Sequence, residues 1–330
     1  MIKFQRFLVA MVALATVPAF ADIATFQQGV NGYTRGLDTT IRVTNEMNNL
    51  NERGNLASGI KGGDLGAYEH HSTNGGASTK LEVGHFMQNQ VGFSGNPGPT
   101  MRYSRSMIRF RDVFGDGPGQ VPTGSPINSA TLTLYHTTDN GAEVSSSGNM
   151  DNPGTAASPQ LNSGQIKVVP LISAITYGTS DGLASVGEVV GSQKKRGKVD
   201  WEEGCVAGDG PGGAPNNDPY GPINSCGPFG GSESDFSRGS SYAQAAVTGP
   251  IDIDVTDILG DLESYGILLN LDNSGGNKEV TFENNNGAAY FSNEAADAQV
   301  RPLLTVDYVP EPATLGLLAI GGLTMLRRRR

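Results

Sequence analysis

The feature that most constrains the fold is a succession of short β-rich segments separated by clusters of Gly, Pro and Asn. In the segment SATLTLY, residues 129–135, Ala130, Leu132 and Leu134 alternate with polar side chains. This period of two is typical of a strand with one buried face. Similar runs recur along the chain: IATF, TTIRVT, KLEVG, SMIRFRDVF, GQIKVVPL, IDIDVTDIL, YGILLNL, EVTFE, AAYFS and PLLTVDY. Helical periodicity is scarce, so the sequence predicts an all-β protein, a β-sandwich or jelly roll.

Long segments interrupt this framework. Residues 45–79, 138–163 and 202–248 are poor in large apolar side chains and rich in Gly, Ser and Asn. We interpret them as loop insertions on a β domain that spans residues 22–308. Residues 171–190 fit either a helical turn or a strand and loop, and Thr256 is expected to cap a short helical turn through Leu262.

The N-terminus has the pattern of a secretory signal peptide. Lys3 and Arg6 precede an apolar run at residues 7–17, and Ala19-Phe20-Ala21 provides the small-x-small pattern that signal peptidase reads. A membrane anchor or a buried helix is the alternative, but the apolar run is short for a membrane span. The sequence therefore predicts a signal helix at residues 1–21, with cleavage before Asp22.

Acidity restricts the partners of the exported body. The formal net charge of the chain is −10, and removal of the basic residues at both ends would make the body more acidic. Such a surface repels phosphate backbones, so nucleic acid is not expected as a partner. No cofactor is predicted, although carboxylates in the acidic loops leave calcium as an open alternative.

The two cysteines of the chain, Cys205 and Cys226, lie in the third insertion. In an exported protein a disulfide is the expected state, with free thiols or metal ligands as the alternative. Closing a loop of this length would restrict the unfolded chain by roughly 3 kcal/mol. The bridge would therefore order a segment that has few apolar side chains to bury.

Catalytic patterns are weak in this sequence. His70 and His71 are adjacent, and neighbouring side chains on an extended strand point to opposite faces, so a solvated loop is the simpler interpretation. The spacing G-x-S-x-G occurs once, at residues 178–182, and Ser180 is not interpreted as the nucleophile of an elbow. Carboxylate pairs such as Asp252 and Asp254 are interpreted as surface charges. We therefore predict a protein that is not an enzyme.

Two further patterns allow a functional and a structural interpretation. The pentapeptide GDGPG occurs at residues 115–119 and 208–212 and is interpreted as a tight turn, because it lacks the carboxylate spacing of calcium loops. Sugar binding requires exposed aromatic rings that stack on the sugar. Trp201, Tyr220, Phe229 and Tyr242 form a candidate glycan-binding face, and the alternative is that Trp201 fills the core.

The C-terminal segment 309–330 resembles a PEP-CTERM sorting signal. It contains Pro310-Glu311-Pro312, an apolar run of 14 residues at 313–326, and Arg327-Arg328-Arg329-Arg330. The resemblance implies a short membrane helix that enters the inner membrane transiently, with the arginines on the cytoplasmic side. It also implies cleavage by exosortase near Pro-Glu-Pro in a Gram-negative bacterium, followed by delivery to the cell surface or the medium. A simple tail anchor is the alternative.

The body resembles DNRLRE domains in the order and spacing of several segments. These are LEVG at 81–84, RSMIRF at 105–110, INSATLTLY at 127–135, IDIDVTDIL at 251–259, YGILLNL at 265–271 and RPLLTVDY at 301–308. The resemblance implies a β-sandwich of the class that includes alginate-type carbohydrate-binding modules. The insertions at 45–79 and 202–248 depart from the family pattern, so loop-borne binding residues are not transferred.

Three functions follow from these patterns. The first is a non-catalytic protein of the cell surface or extracellular matrix, with exopolysaccharide as its candidate ligand. The second is a polysaccharide-degrading enzyme, which would need a catalytic site that the sequence does not reveal. The third is a structural matrix component without sugar binding. We favour the first, with signal peptidase and exosortase as its partners during export.

Overall fold

The computed structural model describes residues 21–45, 73–89, 99–137, 165–191, 193–201, 233–243, 249–271 and 287–310. The predicted signal helix and the predicted C-terminal membrane helix lie outside these residues. Strands predominate in the described part: β1 (Asp22–Gln27), β2 (Gly36–Asn45), β3 (Thr73–Asn74), β4 (Lys80–Asn89), β5 (Pro99–Phe110), β6 (Ile127–His136), β7 (Gln165–Pro170), β8 (Gly182–Leu183), β9 (Gln193–Lys195), β10 (Val199–Asp200), β11 (Ser240–Ala243), β12 (Gly249–Asp254), β13 (Ile267–Leu271), β14 (Gly287–Phe291) and β15 (Leu303–Tyr308).

The strands form two antiparallel sheets. The larger sheet has the order β1-β15-β6-β14-β4-β5-β13-β7-β11, with β12 paired to β6 and β2 paired to β5. The short strands β3 and β8 extend it from β2, and β9 and β10 form a separate two-stranded sheet. The prediction of an all-β fold is therefore confirmed, while the assignment as a jelly roll stays a prediction.

The main hydrophobic core is built by the alternation that the sequence displays. Ala130, Leu132 and Leu134 of β6 are fully buried. Leu132 is paired with Leu304 of β15 on one side and with Ile253 of β12 on the other. Each buried aliphatic side chain of this kind contributes about 1.5–3 kcal/mol. A continuous apolar surface therefore crosses the three strands.

Strands that are distant in the sheet order share this core. The Tyr33 ring, in the loop after β1, lies 5.4 Å from the ring of Phe26 on β1 and 6.2 Å from that of Phe110 on β5. At the opposite end of the sheet, the Tyr242 hydroxyl of β11 donates a hydrogen bond to the Asp254 carbonyl of β12. The sheet therefore curls so that both of its ends pack around one core.

A second hydrophobic cluster covers the outer face of β5, β7 and β13. It contains Met107, Val169, Leu268 and Trp201, whereas the adjacent Ile108 faces the main core. Neighbouring residues point to opposite faces of a strand, so these three strands are buried on both sides. The short apolar runs of β7 and β13, which show little alternation, are explained by this double burial.

The segment between β7 and β9 covers the second cluster, and side-chain hydrogen bonds hold it in place. The Glu188 carboxylate accepts bonds from the Thr179 N–H, the Ser180 hydroxyl and the Ser185 N–H at 2.8, 2.5 and 2.7 Å. The Asn74 amide of β3 donates to two backbone carbonyls of the segment at 2.7 and 2.9 Å. The segment whose structure the sequence left open is therefore mostly irregular, with β8 as its regular part.

Helical structure in the described residues is short. Three 3₁₀ turns occur at Phe236–Arg238, Thr256–Ile258 and Ala298–Val300, and one α-helix, α1, spans Leu259–Ser264. Among the residues that the structure describes, no helix has the length and apolar character needed to cross a membrane.

The expected capping role of Thr256 is wrong. Asp254 Oδ1 accepts hydrogen bonds from the Thr256 N–H at 2.9 Å and from its hydroxyl at 2.6 Å. The Thr256 hydroxyl oxygen in turn accepts a bond from the Ala130 N–H at 2.9 Å. The N-cap position is held by Val255, which makes no side-chain capping bond; Asp254 forms an Asx turn just before it, and Thr256 bonds the turn to β6.

Candidate functional site

The two ends of the β domain leave it side by side. β1 and β15 are antiparallel, and Asp22, the first residue of β1, is paired with Tyr308, the last residue of β15. The Tyr308 hydroxyl lies 3.3 Å from Asp22 Oδ2, and the Val309 N–H donates to the Pro126 carbonyl at 2.9 Å. The predicted signal cleavage point and Pro310 are therefore at the same end of the sheet.

An open groove of about 550 Å³ runs along β1. Its walls are the strand itself and the loops at residues 31–35 and 112–120. Arg35 Nε and Asp112 Oδ2 form an ion pair of 2.8 Å, but both side chains are more than half exposed. A pair in that environment contributes at most about 1 kcal/mol.

The first GDGPG copy forms a tight turn in this wall. The Gly115 N–H donates to the Val121 carbonyl at 2.9 Å. The Gln120 side chain accepts from the Gly117 N–H and donates to the Asp112 carbonyl, each at 2.8 Å. The turn is therefore satisfied by protein groups, and the second copy lies outside the described residues.

A second candidate site is a polar cluster at the junction of β2 and the loop after β14. Asp38 and Asn293 are each 3% exposed. Asp38 Oδ2 accepts a hydrogen bond from the Asn293 N–H at 2.7 Å, whereas Asp38 Oδ1 and both amide atoms of Asn293 have no protein partner. Glu294 follows on the exposed side of the same loop. We call Asp38, Asn293 and Glu294 the β2–β14 polar cluster.

The electrostatics of the polar cluster disfavour a negative charge on Asp38. Burial raises the pKa of Asp38 well above its usual range, and the nearby Glu294 carboxylate raises it further through charge repulsion. Burial also raises the pKa of Glu294, partly offset by hydrogen bonding and by Arg301. Two carboxyl groups that share a partly buried site are not both ionised unless a cation is bound between them; otherwise one of them keeps its proton.

Trp201, the predicted aromatic platform, lies in the second hydrophobic cluster. Its side chain is 2% exposed, and its indole N–H donates to the Val190 carbonyl at 3.2 Å and to the Gly191 carbonyl at 3.1 Å. This is the core position named as the alternative for Trp201. In this position neither face of the ring is accessible for stacking on a sugar.

Of the other residues of the predicted glycan-binding face, the structure describes Tyr242, which packs against a different cluster from Trp201. Tyr242 is partly buried against the main core and donates its hydroxyl to the Asp254 carbonyl. Tyr220 and Phe229 lie outside the described residues, as do Cys205 and Cys226. The predicted face and the predicted disulfide therefore stay predictions.

The described histidine and carboxylate side chains with catalytic potential have structural contacts. The His136 ring stacks on the Tyr290 ring at 4.8 Å, and its Nδ1 lies 3.1 Å from the Gly249 carbonyl oxygen. Asp252 Oδ1 accepts a bond from the Thr133 hydroxyl at 2.6 Å. Within the described ranges, no group of three or more His, Cys, Asp or Glu side chains is arranged to hold a metal ion.

Comparison with known protein families gives a match at the C-terminal end of the chain. Residues 309–330 match the PEP-CTERM protein-sorting motif. The predicted sorting signal is confirmed, and the motif indicates an exosortase-processed protein that is exported to the cell envelope or surface of a Gram-negative bacterium. No curated protein matches the chain. The DNRLRE resemblance of residues 22–308 stays a prediction.

The polar cluster is the feature that sequence reasoning missed. Its members are 255 residues apart in the chain, so no local spacing brings them together. The one available signal was Asp38 itself, because aspartate is depleted in strands and here lies within a β-rich run. A polar residue at such a position calls for a partner from another element.

Proposed function

We propose that this protein is a non-catalytic component of the cell surface or extracellular matrix, trimmed at both ends during export. The observation that carries the proposal is the PEP-CTERM match at residues 309–330. Signal peptidase would remove residues 1–21, and exosortase would act near Pro310-Glu311-Pro312. The acidic all-β body would then be the functional product.

The geometry of the β domain supports processing at both ends. β1 begins at Asp22 and β15 ends at Tyr308, so the paired edge of the sheet contains none of the residues that processing would remove. Pro310 is only two residues beyond the end of β15. The Pro-Glu-Pro motif would therefore lie close to the folded body, and membrane-inserted segments at both ends would hold the same side of the domain toward the membrane.

Exopolysaccharide is the ligand class that we propose for the body. This part of the proposal rests on the DNRLRE resemblance and not on Trp201, whose ring is buried. The β1 groove offers planar polar side chains, including Asn31 and Arg35, of the kind that bond sugar hydroxyls. An acidic body would bind an anionic glycan poorly without bridging cations, so neutral glycans are the first to be tested.

The sorting proposal is tested in the native host with three forms of the gene. The wild-type protein should be found at the outer surface or in the medium without the residues that follow the Pro-Glu-Pro motif. Alanines at Pro310-Glu311-Pro312 should leave full-length chain in the inner membrane. Neutral residues in place of Arg327–Arg330 should instead weaken the membrane stop. Recovery of wild-type chain with Arg330 intact outside the cell would contradict the proposal.

The ligand proposal is tested on the purified exported protein. Neutral and acidic polysaccharides are offered with and without calcium, and both retention of the protein and release of reducing ends are measured. Retention without product supports a binding protein. Release of product would show an enzyme, and absence of both would favour a structural component without sugar binding.

A further inference from the structure

We propose that the β2–β14 polar cluster, Asp38, Asn293 and Glu294, binds a calcium ion. The first argument is the state of its oxygen atoms. One oxygen of the Asp38 carboxyl group and both amide atoms of Asn293 are buried and have no protein partner, and the two oxygens among them can bind a cation. Buried polar atoms in folded proteins nearly always have a partner, so these atoms indicate a missing one.

The unpartnered atoms belong to one place in the fold. Asn293 is tied to Asp38 by its backbone N–H. Its amide nitrogen and oxygen would lie 3.0 and 3.1 Å from a Cβ atom placed on Gly36, two residues before Asp38 on the same face of β2. The Asn293 side chain is therefore on the Asp38 side of the strand, in space that the glycine leaves open.

Arg301, whose charge acts on the Glu294 carboxylate, is already engaged in other contacts. Arg301 Nε donates to the Ala295 carbonyl at 2.8 Å, and its Nη1 donates to the Gln28 carbonyl at 2.9 Å. The guanidinium therefore braces the loop after β14 and the turn after β1. The carboxyl groups of Asp38 and Glu294 are within hydrogen-bond reach of each other, so both can be ionised only if a cation takes the place of the proton between them.

The donor chemistry selects a hard cation. The cluster offers carboxylate and amide oxygens and contains neither a thiol nor an imidazole, which matches calcium and disfavours zinc or copper. Asp38, Asn293 and a bidentate Glu294 would provide up to about four of the six to eight oxygens that calcium takes. Glu294 is exposed, so water can reach the site and complete the coordination.

Two carboxylates and a nearby guanidinium imply weak binding. Calcium sites of extracellular modules have Kd values of about 10⁻⁴–10⁻³ M, and the affinity falls as ligand charge decreases. Such a site would be filled only where calcium is abundant, outside the cytoplasm. The ion would join β2 to the loop that leads into β15, so its binding is expected to stabilise the domain against unfolding.

The test uses the full exported protein and calcium chloride as the probe. Thermal unfolding is measured in EDTA, in 10 mM Ca²⁺ and in 10 mM Mg²⁺, and Ca²⁺ binding is titrated by calorimetry. With a Kd of about 1 mM, 10 mM Ca²⁺ should raise the ratio of folded to unfolded protein about 11-fold. Mg²⁺ should have a smaller effect, because it requires a tighter octahedral site.

Variants locate the ion. Glu294→Gln keeps the shape of an exposed side chain and should lower the Ca²⁺ affinity by about tenfold or more. Asp38→Asn should remove the Ca²⁺ response altogether. Asp181→Asn, which removes one exposed charge elsewhere, is the matched control and should respond as the wild type does.

Two results would overturn the proposal. One is a wild-type protein whose unfolding is the same in EDTA and in Ca²⁺. The other is a Ca²⁺ response that Glu294→Gln retains in full, since the ion would then be bound at another place in the chain. Should Asp38→Asn fail to fold, the comparison of Glu294→Gln with Asp181→Asn still decides between these outcomes.

Discussion

Replacement of Trp201 by alanine distinguishes a core residue from a sugar platform. The indole ring is 2% exposed and belongs to the cluster that covers the outer face of β5, β7 and β13. Truncation of a buried tryptophan to alanine costs about 3–5 kcal/mol. We expect Trp201→Ala to lower the free energy of unfolding by that amount, because the segment that covers the cluster would lose its largest contact.

Trp201→Phe separates packing from hydrogen bonding. Phenylalanine keeps most of the apolar ring but removes the N–H that donates to the Val190 and Gly191 carbonyls. Loss of that donor costs about 1–3 kcal/mol where the carbonyls remain buried. The phenylalanine variant should therefore be destabilised less than the alanine variant. Val199→Ala, two residues earlier and 43% exposed, is the control and should stay within about 0.5 kcal/mol of the wild type.

The measurement is equilibrium urea unfolding of the exported protein, followed by far-UV circular dichroism. Fluorescence is unsuitable because Trp201 is the single tryptophan of the chain. A loss below about 1 kcal/mol for Trp201→Ala, together with loss of polysaccharide retention, would refute the core placement. The ring would then be an exposed platform after all.

Three further predictions concern other parts of the chain. Burial tends to raise the pKa of Glu188, but hydrogen bonds from Ser180 and from backbone N–H groups outweigh this effect and lower it. The ionised Glu188 side chain should therefore stabilise the protein above the unfolded pKa of about 4.3, and this stabilisation should be lost as the pH falls below that value. The urea midpoints of the wild type and of Glu188→Gln should therefore differ at pH 7 and become similar as the pH is lowered to 3. Gly266 and Gly182 both have positive φ, near 107° and 109°, but a Cβ at Gly266 would meet a tyrosine hydroxyl and a backbone carbonyl whereas Gly182 faces open space. Gly266→Ala should therefore cost more than the roughly 1 kcal/mol expected of Gly182→Ala, and equal melting temperatures would contradict this. Finally, the intact mass of the unreduced exported protein should be two hydrogens below that of the reduced form if Cys205 and Cys226 are bonded, and quantitative thiol labelling of the native protein would exclude the bond.

The sequence predicted best where a strand has one buried face. The alternation in β6 and β15 gives both the strands and the direction of their side chains, since Leu132 and Leu304 are buried as the pattern requires. The sequence predicted the strands with two buried faces, but it did not predict the cluster that covers their second face. Met107 and Ile108 are adjacent and both fully buried, and nothing in their order shows that two different clusters receive them.

Candidate sites were predicted less well, because they depend on contacts between distant segments. The sorting motif is contiguous in sequence, so its resemblance to a known signal is visible in one short segment. The polar cluster depends on a contact between β2 and a loop 255 residues later. Trp201 left two interpretations open, since its burial is decided by the segment at residues 171–191 that folds over β13. No local sequence pattern in that segment predicts that it covers the second hydrophobic cluster.

The antiparallel pairing of β1 with β15 determines how the domain bears mechanical load. In the precursor that we propose, the membrane holds both ends of the domain. Tension between Asp22 and Tyr308 would then separate β1 from β15 by breaking their hydrogen bonds one at a time. After signal cleavage, tension can reach this edge only through the C-terminal end. It then acts along β15, which is bonded on one side to β1 and on the other to β6. To pull β15 out of the sheet, the hydrogen bonds on both of its sides must break together. Removal of the signal peptide therefore makes this edge more resistant to tension.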